Sequence, residues 1–194
     1  YGSDRVGGQA LNVKIRAQFK TIDLLYASLM YSANNAANAL YRATGLSQKN
    51  FINNMNAKAA KLGAANSVFV DSSGISLENI STASDLAKIA RAAFGYKKIS
   101  EITSTEEKTI TAVIPRKKFY FKNTDKLVRD NDGTYVVSGS KTGYLGDDKV
   151  NLAVKIRTIK GNDVIVIVFG DKTLLDSFTN AKMLAYWTWG NYVF

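Results

Sequence analysis

The chain predicts an α+β fold, an antiparallel sheet flanked by a helical cluster, and two observations carry that prediction. Apolar residues recur at helical spacing through the first half, and after Thr109 the period shifts to the alternation of strands. A last helical stripe closes the sequence, so helices precede antiparallel strands and one more helix can pack on the sheet. With 194 residues, 46% hydrophobic and 22% charged, the chain is long enough for a core of its own. It has no internal repeat and no linker, so residues 1–194 are expected to form a single domain.

Residues 1–19 open glycine-rich; Leu11, Val13 and Ile15 then alternate with polar residues, which suggests a short strand or extended segment. Thr21 is placed to cap a helix carrying Ile22, Leu25, Leu29 and Met30. An Ala-rich helix follows over 33–43, with Gly45 ending it. Ser47 caps a third, with Phe51, Met55 and Ala59 on one stripe and Gly63 just past its end. A fourth begins near Thr82, where Asp85 resembles half of a capping box and Leu86, Ile89 and Phe94 form the buried face. Residues 109–113 and 118–122 read as a hairpin turning near Pro115. Tyr135–Val137 leads into Ser138-Gly139-Ser140-Lys141-Thr142-Gly143. Val150, Leu152, Val154 and Ile156 predict a strand with one wet face, and the apolar run 164–169 a central strand. The closing helix spans 174–189, with Leu174, Phe178, Ala181 and Ala185 in line.

Two absences restrict the chemistry. Without cysteine there are no disulfides, thiolate metal sites or cysteine nucleophiles. Without histidine there is no Ser-His-Asp triad and no imidazole metal site. Any acyl transfer here needs a base other than imidazole, and a lysine of depressed pKa is the alternative. The formal net charge of +10 favours polyanions, but the basic residues are scattered through separate segments and no aromatic RNA-binding signature occurs, so nucleic acid is not expected as a partner. No run of 18 apolar residues appears.

Two short motifs remain. Ser32-Ala33-Asn34 lies between two predicted helices, where a helix cap would explain Ser32 equally well. Lys141-Thr142-Gly143 lies on or just past a strand, where a strand-end turn is the bland reading. Together, and in this order, they resemble the penicillin-binding protein and serine β-lactamase superfamily, which combines Ser-x-x-Lys, Ser-x-Asn and Lys-Thr-Gly motifs. The likeness extends to its D-alanyl-D-alanine carboxypeptidase family along essentially the whole chain. It runs through "TIDLLYASLMYSANNAANAL", "VFVDSSGISLENISTASDLAKIARAAF", "FKNTDKL", "VSGSKTGYL" and "AKMLAYWTWGNYVF".

That resemblance implies a serine-type peptidase acting on peptidoglycan stem peptides through an acyl-enzyme and acylated by β-lactams, with no cofactor and no metal. Ser32 would relay a proton to the leaving D-Ala amine, and Asn34 would hold the catalytic lysine and the substrate amide. Lys141 would place positive charge near the substrate carboxylate and Thr142 would hydrogen-bond it. Gly143 would let the substrate lie along the strand, and the N–H of Tyr144 would be one oxyanion donor. It further implies an extracytoplasmic place at the cell envelope, reached by a signal not in this chain.

The only Ser-x-x-Lys is Ser138–Lys141, which overlaps the third motif. The nucleophile is therefore expected upstream of Tyr1, leaving the domain incomplete at its N-terminus and stable only with that segment, a partner in the fold, attached or bound. The run Leu145-Gly146-Asp147-Asp148-Lys149 departs from the family pattern and puts the local loop shape in question. Ser72-Ser73-Gly74 reads as a turn, and Tyr186, Trp187, Trp189 and Tyr192 as core plus surface anchor. No Glu-x-x-Leu-Asn segment supports a class A β-lactamase. The alternatives are a DD-endopeptidase using the same residues and a non-catalytic module binding cell wall or polyanions.

Overall fold

A computed structural model describes residues 2–4, 6–130, 132–146 and 149–193. Asp147 and Asp148, in the run that departs from the family pattern, lie outside the described residues. The helices are α1 (Thr21–Leu29), α2 (Asn34–Ala43), α3 (Gln48–Lys61), α4 (Ala83–Gly95), α5 (Lys97–Thr103), α6 (Lys126–Arg129) and α7 (Leu174–Asn191). The strands are β1 (Glu107–Ala112), β2 (Lys117–Lys122), β3 (Tyr135–Tyr144), β4 (Val150–Thr158) and β5 (Asp163–Asp171). The α+β order stands, but the strands form two sheets, an antiparallel pair β1-β2 and an antiparallel trio β3-β4-β5.

Most helix starts follow local chemistry. Ser47 Oγ accepts from Asn50 N, Thr82 Oγ1 from Asp85 N and Thr173 Oγ1 from Asp176 N, each satisfying one otherwise orphaned helix donor. Asp85 does not complete a capping box; its carboxylate accepts from Asn66 N and pairs with Lys88 instead. Thr21 is the first helical residue of α1 rather than its cap.

Three apolar cores set the layout. α7 covers one face of the trio, where Phe178, Ala181 and Ala185 meet Leu152, Val154, Ile156, Val166 and Val168. α4 covers part of the other face, where Ala90 and Phe94 meet Ala153. The third core joins α1 and α2 to the hairpin through Tyr26, Ala27, Met30, Ala36, Ile102, Ile110 and Phe121. At Gly139 a side chain has no room: a Cβ there would lie 2.9 Å from Phe94 Cβ and nearer still to its ring.

Three expectations are corrected. Residues 11–15 form no strand, because Asn35 takes both backbone groups of Leu11 and pins that segment to α2; Ile15 then stands exposed in a turn closed by Ala17 N on Lys14 O. The face of β4 expected to be wet is covered at Ala153 by α4. And β5, expected to be central, pairs only with β4 among the described residues; β4 is the middle strand.

Candidate active site

The site forms where three segments meet: the turn between α1 and α2, the link from β2 to α6, and strand β3. Leaving α1, the chain reverses through Ser32, held at φ 61°, a left-handed conformation that costs a residue with a side chain about 1 kcal/mol. The reversal is fixed by Ala33 N donating to Ala27 O at 2.8 Å. The N-cap of α2 is Ala33, so Ser32 does not serve as a helix cap. Its hydroxyl instead accepts a hydrogen bond from Lys141 Nζ at 2.7 Å.

Lys141 sits within β3 and pairs across the ladder with Ala153. Its ammonium also donates to Thr142 O at 2.5 Å. Although the residue keeps some exposed surface, the protein around the ammonium strips away water and pushes its pKa down to about 8. No carboxylate bonds to it among the described residues.

Thr142 is buried, and its hydroxyl donates to Thr124 Oγ1 at 2.6 Å; Thr124 N in turn donates to Met30 O at the end of α1. Gly143 differs from Gly139: a Cβ there would meet only Asn151, at an ordinary 3.5 Å. Packing within the chain therefore does not require glycine at 143. Tyr144 ends β3 opposite Val150, with its side chain exposed. Asn34, the first residue of α2, donates through Nδ2 to Gly7 O at 2.9 Å, and its N–H donates to Gln9 O. Among the described residues no hydrogen bond joins Asn34 to Ser32 or Lys141. Geometry thus brings Ser32 and Lys141 together, with Thr142 beside them, and turns Asn34 toward residues 7–9.

Sequence reasoning quoted the segment behind this strand, residues 121–127, for its family likeness but gave its residues no role. Asn123 donates to the carbonyls of Thr103 and Thr105 at the end of α5, and Thr124 bridges α1 to Thr142. Asp125, fully buried, caps α6 through Leu127 N and accepts from Ser140 Oγ, next to Lys141. Three short polar residues in succession, directly after the lysine-flanked aromatic strand β2, were the available signal.

Asp125 has a pH signature. Burial raises its pKa to about 6, against the opposing effects of the Ser140 and Leu127 hydrogen bonds and the Arg129 charge. Unfolded, the same carboxyl releases its proton near 3.8. Between these values the folded chain binds more protons, so this group's contribution to stability falls as pH rises from about 4 to 6. Asp125→Asn keeps the cap acceptor and removes the titration. Wild-type stability relative to the variant is expected to fall by about 2–3 kcal/mol over that window. Denaturant unfolding of both proteins at pH 4, 5, 6 and 7 checks this, and a difference that stays flat with pH counts against it.

The Ser72–Gly74 turn stands, and Asp71 organises it: its carboxylate accepts from Ser73, Gly74 and Ser76 N–H groups and from Asn79 Nδ2. Burial opposes its charge, but these donors outweigh that and hold its pKa at about 2. In the C-terminal aromatic group, Trp189 is half-buried and donates from Nε1 to Asn162 O, while Tyr186, Trp187 and Tyr192 are exposed.

Comparisons with known proteins meet this geometry. The family model described as D-alanyl-D-alanine carboxypeptidase matches residues 3–173. A D-alanyl-D-alanine endopeptidase of Haemophilus influenzae is 35% identical over 93% of this chain and 62% of its own length. The D-alanyl-D-alanine carboxypeptidase DacF of Bacillus subtilis is 31% identical over 87% of this chain and 42% of its own. The chain thus spans less than two thirds of the length of either curated relative. Among solved structures, the Streptomyces K15 DD-transpeptidase superposes with a TM-score of 0.85 at 26% identity, covering 94% of this chain and 72% of that one.

Proposed function

The chain belongs to the D-alanyl-D-alanine carboxypeptidase family, and from that premise we propose that it supplies the proton-relay and carboxylate-binding side of a serine D-Ala-D-Ala carboxypeptidase acting on peptidoglycan stem peptides at the cell envelope. The observation that carries this reading is the 2.7 Å contact from Lys141 Nζ to Ser32 Oγ. A serine oxygen that accepts from an ammonium turns its own hydrogen elsewhere, toward a leaving amine. Lys141, with its pKa lowered to about 8, can return the proton and remains mostly charged at neutral pH, as a carboxylate partner must.

The nucleophile in this reading comes from a Ser-x-x-Lys helix outside these 194 residues. Ser138 and Ser140 are poor candidates: Ser138 Oγ is buried and Ser140 Oγ is committed to Asp125. The lysine of that helix takes the proton from the serine as its oxygen attacks the carbonyl carbon of the D-Ala–D-Ala peptide bond. The N–H of Tyr144 receives the charge that develops on the carbonyl oxygen, Ser32 protonates the departing amine, and water later hydrolyses the ester. β-Lactams would acylate the same serine. Gly143, which the chain could replace without crowding, leaves the strand open to a bound peptide.

A second reading, DD-endopeptidase cleavage of cross-links, has its own support. Relatives of Haemophilus influenzae, Pseudomonas aeruginosa and Escherichia coli at 33–35% identity carry that name. Mass spectrometry after exposure to labelled penicillin tests the shared chemistry. The whole gene product should carry one adduct on a serine outside residues 1–194, and the 194-residue chain none. An adduct on Ser32 or Ser140 would overturn the assignment. Products from defined monomeric and cross-linked muropeptides then separate the two activities.

A further inference from the structure

We propose that the tip of the β1-β2 hairpin and the neighbouring turn at residues 14–17 form a docking surface for an anionic phospholipid bilayer. In sequence the two segments lie about a hundred residues apart, and the fold joins them. Gln18 N donates to Ile114 O at 2.8 Å, Val113 N donates to Gln18 O at 2.7 Å, and the Phe19 and Phe119 rings pack beneath at 5.8 Å.

The joined surface has an uneven composition. Residues 13–20 and 112–119 hold Lys14, Arg16, Lys20, Arg116, Lys117 and Lys118, six of the 26 basic residues, and none of the 16 acidic ones. All six are exposed. Within the two turns stand Ile15, Val113 and Ile114, with 55%, 50% and 56% of their surfaces exposed. The turn that presents Ile15 does so with Arg16 at φ 68°. Apolar side chains ringed by cations suit an interface whose outer layer is anionic and whose next layer is hydrocarbon. A soluble acidic polymer would use the cations and leave the three apolar side chains in water. That contrast decides for a bilayer.

The surface lies away from the chemistry. β2 runs from Lys117 at the tip to Lys122, which leads into Asn123–Asp125 behind the site, a span of roughly 17 Å. Docking would therefore fix how the protein stands on the membrane without blocking Ser32 and Lys141.

Co-sedimentation with vesicles tests this, using the whole gene product and lipid mixtures of phosphatidylglycerol with phosphatidylethanolamine, against phosphatidylcholine alone. Binding is expected on the anionic vesicles only. Each cation near such a surface contributes about fivefold, so Arg116→Gln/Lys117→Gln/Lys118→Gln should weaken binding roughly 100-fold. Ile15→Ser/Ile114→Ser should weaken it with all charges kept. The control Lys49→Gln/Lys58→Gln/Lys61→Gln removes the same charge from α3 and should bind nearly as wild type. Penicillin labelling without vesicles should be unchanged in all three, which keeps this test apart from the activity. The proposal is overturned if the α3 control loses as much as the hairpin variant. It is also overturned if the Ser variant binds as wild type, or if soluble polyglutamate competes fully.

Discussion

Replacing Lys141 with Met is expected to slow acylation by benzylpenicillin about 10²–10³-fold, the effect of losing one preorganised charged donor, while making the protein more stable. The two effects share one cause. Burial holds the Lys141 pKa near 8, below the usual 10.5, so the folded chain disfavours the charged form. That penalty is fully present below about pH 8 and is relieved as the pH rises toward 10.5 and the proton leaves. Methionine fills a similar volume without the charge. Thermal melts of the variant should exceed wild type at pH 7, with the gap closing toward pH 10. Stopped-flow acylation of the whole gene product measures the other side. A variant that acylates at nearly the wild-type rate would remove Lys141 from the proposed mechanism; one that melts lower at pH 7 would show that the ammonium stabilises the fold.

Gly139→Ala is expected to lower stability by about 3 kcal/mol, the upper part of the range for overpacking. The added methyl would fall inside contact distance of both Phe94 Cβ and its ring, where α4 presses on β3, and neither backbone can retreat easily. For a chain of this size that corresponds to a melting temperature lower by about 6–12 °C. In a Phe94→Ala background the same substitution should cost clearly less, because the ring atoms in closest approach are gone and only the contact with the Cβ at 94 remains. Equal losses in both backgrounds would mean that the close approach of α4 is not the cause. Gly143→Ala is the informative partner. Its methyl meets only Asn151 at ordinary distance, so stability should hold while acylation falls if a peptide lies along that strand.

These two glycines mark the limits of reading a sequence. Both appear within one motif-bearing run, and nothing local says that one is required by a neighbouring helix and the other is not. Caps at Ser47 and Thr82 were legible because a side-chain oxygen and a helix donor three residues apart form a self-contained unit. The seven-residue α5 and four-residue α6 were missed because fewer than about two turns cannot display a 3.6-residue period. Residues 11–15 alternated like a strand, yet Asn35, 24 positions away, captured the backbone of Leu11 first. The apolar run in β5 suggested burial on both sides, but its rank in the sheet depends on which strands pair with it, and that information lies outside the strand.

By itself, the sequence determined that any acyl transfer here runs without imidazole or thiol, since histidine and cysteine are absent, and it determined the order of the longer helices and of the strands from β1 to β5. It also held both motifs. Tertiary structure decided that Ser32 and Lys141, 109 positions apart, touch, that the lysine loses water in doing so, and that Asn34 turns toward Gly7. The physical reason is range. Spacing and capping act over a few residues and can be read in a short window. A lysine's hydration and its partner across the chain depend on how separate apolar cores pack against one another, and no window contains that.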